Sequence, residues 1–374
     1  MIKKVIQISD IHIRLYQRQE EYKEQFQKFY KELDKLRKEI SFEEGRIIFT
    51  GDLFHQKITI SNESIIITSS FLKEISKRFR VILLPGNHDA LIKNKDRLDS
   101  ITPVVELLDN ENIWYFKESG CYKDLYDENI VYSIWSCLDN QKNPILNKYK
   151  EKYDPNNEKI YITLYHGPVK GCKTDQNYTF TDGIDIQEFT GSDLICLGDI
   201  HLKQKLELEE DNKIIPAIYS GSFIAQNHGE SNEKGFVLWD IKDKNKITYS
   251  FVEIPNDYGF YTIEINNFDN LYNNPKEQNL KISKKPNLRI IWSDKELNYS
   301  GIKVNEIKSY YQNKYNPISL IVIFESTDIS NLINVEKSQI NNINNPEIQR
   351  KLMIDFLLES GQLNDEELEI EIES

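Results

Sequence analysis

Five short apolar runs frame the chain: Val5–Ile8, Ile47–Phe49, Val81–Leu84, Ile162–Leu164 and Leu194–Leu197. Each has the length and side chains of a buried strand, and each leads into a polar motif. After the first run, Tyr22, Phe26, Phe29, Leu33, Leu36 and Ile40 recur at spacings of four and three among charged residues. That period predicts an amphipathic helix laid on a core by one face. A short break follows at Glu44-Gly45, and a second helix is expected over Asn62–Phe79. Strand, helix, strand, helix is the order of a layered α/β core.

From about residue 111 to 255 the pattern turns strand-rich, with runs at 113–116, 130–135, 161–165, 194–197, 205–208, 214–220, 235–240 and 247–254. Few helical stretches separate them, so mixed or antiparallel pairing in a two-sheet sandwich is expected. Pro255-Asn256-Asp257 breaks the pattern. Strands at 260–266 and 288–292, a helix at 302–314 and a strand at 318–324 then make a β-β-α-β unit of the size of a small second domain. An Asn- and Ser-rich linker follows. Asn345 and Pro346 are suited to the N-cap and first turn of a helix in which Ile348, Leu352, Met353, Phe356 and Leu357 share an apolar face. The chain ends in alternating Glu. The expected division is 1–255, 256–326, a linker over 327–345, and a helix with an acidic tail over 346–374.

The chain has 374 residues, 29% charged and 11% aromatic, so a sizeable core is expected and wholesale disorder is not. Its net charge of −13 is unlike that of a dedicated nucleic-acid binder. Phosphate contact would then need metal ions, a local basic surface or a basic partner. The four cysteines, Cys121, Cys137, Cys172 and Cys196, form no close pair and read as reduced thiols of a cytoplasmic protein. Met1-Ile2-Lys3-Lys4 runs straight into a strand, and no apolar run approaches the ~18 residues of a membrane span.

The chemistry lies in the histidines. Of six, five sit in the motifs Asp10-Ile11-His12, Gly51-Asp52-Leu53-Phe54-His55, Gly86-Asn87-His88-Asp89, His166-Gly167 and Gly198-Asp199-Ile200-His201; only His228 lies outside. Strand ends of an open α/β sheet converge on one crevice. Asp10, His12, Asp52, Asn87, His166, Asp199 and His201 arriving there can hold two divalent cations, with Asp52 offering an oxygen to each. Carboxylate, amide and imidazole together suit Mn²⁺, Mg²⁺ or Fe better than a thiolate-seeking ion. Two such ions hydrolyse phosphate esters. His88, beside Asn87, is placed to protonate a leaving oxygen, and His55 lies near the same crevice. Arg14, Arg18, Lys93, Lys95 and Arg97 lie close to the motifs and could meet DNA phosphates.

The order of these motifs resembles the calcineurin-like metallophosphoesterase superfamily. Gln7-Ile8-Ser9-Asp10-Ile11-His12, Thr50-Gly51-Asp52-Leu53-Phe54-His55, Pro85-Gly86-Asn87-His88-Asp89, Tyr219-Ser220-Gly221-Ser222 and Lys234-Gly235-Phe236 resemble its DNA-repair nuclease branch, the SbcD-type subunits, which includes phage recombination nucleases. The resemblance covers about residues 1–255. It implies an α/β, four-layer sandwich of two mixed β-sheets flanked by helices, a small α+β capping domain and a C-terminal helical segment. It also implies a DNA exonuclease and endonuclease with two Mn²⁺ per chain, working as a homodimer with an SbcC-type coiled-coil ATPase that grips the C-terminal helix. One metal would take Asp10, His12, Asp52 and His201; the other Asp52, Asn87, His166 and residue 199. His88 would be the leaving-group acid, and His55 the histidine that helps place the strand. The departure is Asp199, where the family usually has histidine. The setting would be the cytoplasm, that of a host for a phage protein.

Another calcineurin-like phosphodiesterase or phosphatase is the alternative. The protein phosphatases typically follow Gly-Asp with Val-Asp-Arg-Gly, whereas Leu53-Phe54-His55-Gln56 stands here. A scaffold that recruits an ATPase without catalysis is a third reading, and the intact ligand set counts against it.

Overall fold

Strands β1 (Lys4–Ile8), β2 (Gly45–Thr50) and β3 (Arg80–Leu84) are parallel neighbours, and nearly every residue in them is buried. They show no alternation because both faces are covered. Ile6, Ile8, Ile47, Phe49, Val81 and Leu83 face one apolar layer, while Val5, Ile48, Ile82 and Leu84 face another. The first layer is completed by α1 (Gln19–Glu39) and α2 (Asn62–Ser76). The Tyr22–Phe26–Phe29–Leu33–Leu36 stripe lies against the sheet, as its period predicts.

The computed structural model describes residues 1–57, 59–94, 97–139, 146–266, 271, 277, 280–293 and 301–324, without the side chains of 301–303 and 324. The expected linker at 327–345, the helix and acidic tail at 346–374, and Lys95 lie outside them.

Sheet one runs β12-β11-β1-β2-β3-β4, with β4 at Ile113–Tyr115, β11 at Gly235–Asp243 and β12 at Lys246–Glu253. Sheet two runs β5-β6-β7-β8-β10-β9, with β5 at Gly120–Lys123, β6 at Ile130–Trp135, β7 at Ile160–His166, β8 at Leu194–Gly198, β9 at Gln204–Glu210 and β10 at Lys213–Tyr219. Each sheet has parallel inner strands and antiparallel pairs toward an edge. The expected two-sheet α/β sandwich is therefore present. Among the strands and α-helices of the described residues, three were not expected: β5, α3 (Ile101–Leu108) and α4 (Leu146–Tyr153). The outer face of sheet two carries little helix. Val169, Cys172 and Phe189 of the segment after β7 cover it instead.

Two buried polar ties lock the sheets. Gln7 Nε2 donates to Leu197 O and Ile218 O across the sandwich, and its Oε1 accepts from Trp239 Nε1. Arg46 grips Asp124 through Nε and Nη2 at 2.8 and 2.9 Å, both side chains fully buried, and Tyr132 donates to the same carboxylate. Removing one partner of such a pair costs about 3–5 kcal/mol, because the other charge is left buried alone.

A third sheet, β13 (Phe260–Ile265), β14 (Asn287–Trp292) and β15 (Ser319–Phe324), is wholly parallel and packs α5 (Gly301–Tyr315) through Ile307 and Tyr311. It is pinned to the first unit at Phe260. Asn232 hydrogen-bonds both backbone groups of Phe260, and Arg18 lies 5.2 Å over its ring.

Candidate metal centre

The loops leaving β1, β2, β3, β7 and β8 meet at one end of the sandwich. Backbone bonds from Asp10 N to Gly51 O and from His12 N to Asp52 O join the first two loops. His166 pairs with Gly198 across β7 and β8, which brings the other two motifs together. Asp10, His12, Asp52 and Asp199 all have left-handed backbone, with φ of 51°, 52°, 60° and 87°. Non-glycine residues seldom adopt it, and they keep it at sites where the surroundings over-determine the chain. Asp89 supplies part of that constraint. Its carboxylate accepts the backbone N–H groups of Asp52, Leu53, Phe54 and Gly86. Gly86 admits no side chain, since a Cβ there would lie 2.1 Å from Asp52 Oδ1.

The side chains converge closely. Asp10, His12 and His201 each offer a ligand atom within 4.8 Å of the others, as do Asp10, Asp52 and His166. Asp52 stands between the two groups. Its Oδ2 is 3.5 Å from His12 Nε2, and its Oδ1 is 3.3 Å from His166 Nε2. His12 and His201 point their Nε2 atoms at each other, 3.0 Å apart. Asp199 Oδ1 is 3.6 Å from His166 Nε2 and accepts from Asn87 Nδ2 at 2.7 Å, so the Asn87 amide oxygen is left for an ion. All seven expected ligands thus share one site. Asp10 Oδ1 and His166 Nε2 are buried with no hydrogen-bond partner. Buried polar atoms of this kind call for an explanation, and divalent cations among these donors supply one.

Each of two imidazoles is oriented by its far nitrogen. His166 Nδ1 donates to Thr50 O, and His201 Nδ1 to Glu230 Oε1 at 2.8 Å, so both Nε2 atoms face the centre. Burial pushes Asp10 up to about 6, against the pull of His166 and His201. Burial also opposes charge on Asp52, but His166 and His12 hold it well below the usual carboxylate range. His166 is the converse: burial disfavours its cation, but Asp52, Asp10 and Asp199 outweigh that and push it well above the usual imidazole range, which favours a proton on the ring. An arriving cation must displace this proton, so metal affinity rises with pH.

His88 and His55 stand beside the ligands. His88 Nδ1 donates to His55 O, and the two rings stack at 5.8 Å. His55 is pushed down to about 4 by burial and by Arg14 and His88. Of the five basic residues, Arg14 reaches the centre. Arg18 is turned to Glu21, and Lys93 and Arg97 are exposed.

Glu230 was not among the expected site residues. Its side chain is 4% exposed and accepts from His201, Ser222 Oγ and Gln226 N. Burial would raise its carboxyl, but His201 and Lys234 hold it at about 2. Nothing in its polar loop marks it in sequence. Glu230→Gln should weaken metal binding about 10–100-fold, the usual loss when an orienting partner is removed. Titration of the metal-free protein with Mn²⁺ measures this, and unchanged affinity would show that His201 is oriented by other contacts.

The profile of the calcineurin-like phosphoesterases matches residues 3–203, more than half of the chain. An uncharacterized protein of Acanthamoeba polyphaga mimivirus is 36% identical over 317 residues, 83% of this chain. The chain spans 22% of the length of that relative. Among the described residues no helix is long and apolar enough to cross a membrane.

Proposed function

The chain belongs to the calcineurin-like phosphoesterase family, whose members bind divalent metals, and from this premise we propose that it is a Mn²⁺-dependent DNA nuclease of the SbcD type. The observation that carries the reading is the histidine pair left over once the ligands are counted. His55 and His88 stack beside His12, with Arg14 behind them. A chain phosphate has to be placed as well as cut, and these groups are suited to placing it.

Asp10, His12, Asp52 and His201 would hold one ion, and Asp52, Asn87, His166 and Asp199 the other. When bound, the two ions supply the Lewis acidity that polarises the phosphodiester and acidifies the attacking water. The remaining steps belong to the protein. Asp52 presents one oxygen to each half of the site, which fits a bridging role. Asp199 adds negative charge where the family usually has imidazole, which favours a harder ion. His88 keeps its Nδ1 proton on His55 O, so to protonate the leaving 3′ or 5′ oxygen it would act as the imidazolium and give the proton on Nε2.

The pure protein should cut single-stranded DNA and DNA ends with Mn²⁺, more slowly with Mg²⁺, and not in a chelator. If it hydrolyses a simple phosphodiester with Mn²⁺ but leaves every DNA intact, the other phosphodiesterases of the family become the better reading.

The working assembly in this proposal is a homodimer bound to an SbcC-type coiled-coil ATPase. The apolar positions Ile348, Leu352, Met353, Phe356 and Leu357 support a docking helix, since burying each contributes roughly 1.5–3 kcal/mol. Deleting 340–374 should abolish co-purification with the ATPase and leave cutting of short single strands in place. Unchanged binding of the ATPase by the truncated protein would reject this role.

A further inference from the structure

Resting on the metal-binding part of that reading and not on its choice of substrate, we propose that the placement of the third sheet and the hold on one metal ion are coupled through residues 222–234. This segment links β10 to β11. It carries Glu230, whose Oε1 accepts from His201 Nδ1 at 2.8 Å. Among the described residues, the other partners of that carboxylate all come from the segment itself. Ser222 Oγ, Gln226 N and Lys234 Nζ meet its Oε2, and Asn227 Nδ2 meets its Oε1. A carboxylate held in this way moves with its own segment. Where the segment lies therefore decides how His201 is turned toward an ion.

The same segment grips the third sheet. Asn232, two residues from Glu230, donates from Nδ2 to Phe260 O and accepts from Phe260 N, each at 2.8 Å. His228, two residues away on the other side and the one histidine outside the metal-site motifs, meets the Phe260 ring edge-on at 5.0 Å. Arg18 lies 5.2 Å from that ring and donates to Ala225 O of the segment at 2.6 Å. Phe260 is the first residue of β13, so the clamp acts where the third sheet begins. A second tie gives a contrast. Lys285 Nζ donates to Glu24 Oε1 at 2.6 Å and to Tyr258 OH at 2.8 Å, which fastens the third unit to α1 through groups that are none of the seven ligands. Coupling between two sites is reciprocal: what the clamp adds to metal affinity, the metal adds to the clamp. A partner that shifts the third sheet would thereby change how tightly that ion is held.

The test uses the full chain. Calorimetric titration of the metal-free protein reads Mn²⁺ binding, and hydrogen exchange reads the clamp. Asn232→Ala should weaken one of the two Mn²⁺ positions about five-fold, the low end of usual coupling between sites, and leave the other as it was. Lys285→Ala should leave both unchanged. Added to Glu230→Gln, Asn232→Ala should cost little more than Glu230→Gln alone, because both act through one carboxylate. In the unaltered protein, saturating Mn²⁺ should slow exchange at the Phe260 amide by about the same five-fold. That measurement needs no variant and decides the matter even if Asn232→Ala disturbs folding. Exchange at Phe260 that ignores Mn²⁺ would overturn the proposal. So would equal losses in Asn232→Ala and Lys285→Ala, which would mean a general loosening of the third unit. Additive losses in the double variant would overturn it too, since Asn232 would then act around Glu230. A wild type that binds no divalent ion would remove the metal-centre reading and this coupling together. Two bound Mn²⁺ with the coupling present, and every DNA left intact, would overturn the nuclease reading and support this one.

Discussion

Asp52→Asn is expected to lower cleavage by at least ~10³-fold, because it removes the charge between both halves of the centre while keeping the side-chain shape. Asparagine is the informative substitution, since it tolerates the left-handed backbone that Asp52 adopts at φ 60°. Alanine would add strain to the loss of charge. The two Asp52 oxygens lie 3.5 Å from His12 Nε2 and 3.3 Å from His166 Nε2, so one substitution reaches both ligand groups. Two-metal stabilisation contributes several kcal/mol to phosphoryl transfer, and each ~1.4 kcal/mol is a factor of ten in rate. Elemental analysis should find fewer than two metals per variant chain. Two tightly held metals would reject the bridging role.

His88→Ala should separate chemistry from metal binding. The His88 backbone N–H donates to Asp52 Oδ1 at 2.8 Å, and alanine keeps it. The lost side chain donates to His55 O and is not among the seven proposed ligands. Metal content should therefore stay at the wild-type level. Cleavage should fall by about 10²–10⁴-fold, the usual worth of a positioned acid. An oligonucleotide with a 4-nitrophenyl leaving group needs little protonation, and the variant should recover most of its rate on it. A defect of equal size on both substrates would mean that His88 positions the phosphate and is not the acid.

Much of the first unit is legible along the chain because its signals are local. A continuous apolar run such as Val81–Leu84 has few places to go except a strand covered on both faces. The α1 stripe has one burial solution. The missed elements lack such signals. In α4 only Leu146 is buried, and α3 carries Pro103 and adjacent β-branched residues in eight positions. The β5 strand is an edge whose four residues include none that is fully buried.

The site divides in the same way. Asp10, His12, Asp52, Asn87, His166, Asp199 and His201 are readable because carboxylates and imidazoles at strand ends of one sheet system must meet, whatever the details of packing. The sequence by itself thus determined the strand-end motifs, the candidate ligands and the family resemblance. What only the tertiary structure decided is how each ring is turned and which groups are left unpaired. Thr50 O orients His166 from 116 positions away, and Glu230 orients His201 from 29. Gln7 spans the sandwich inside what reads as an ordinary strand. Arg14 and Arg18 look alike in the chain, yet Arg18 is paired with Glu21 and Arg14 turns its Nη1 to His55 beside the metal centre. The reason is physical. Hydrophobic period and strand-end position are properties of short segments. A hydrogen-bond partner is whatever polar atom folding brings within about 3 Å, and no local pattern encodes it.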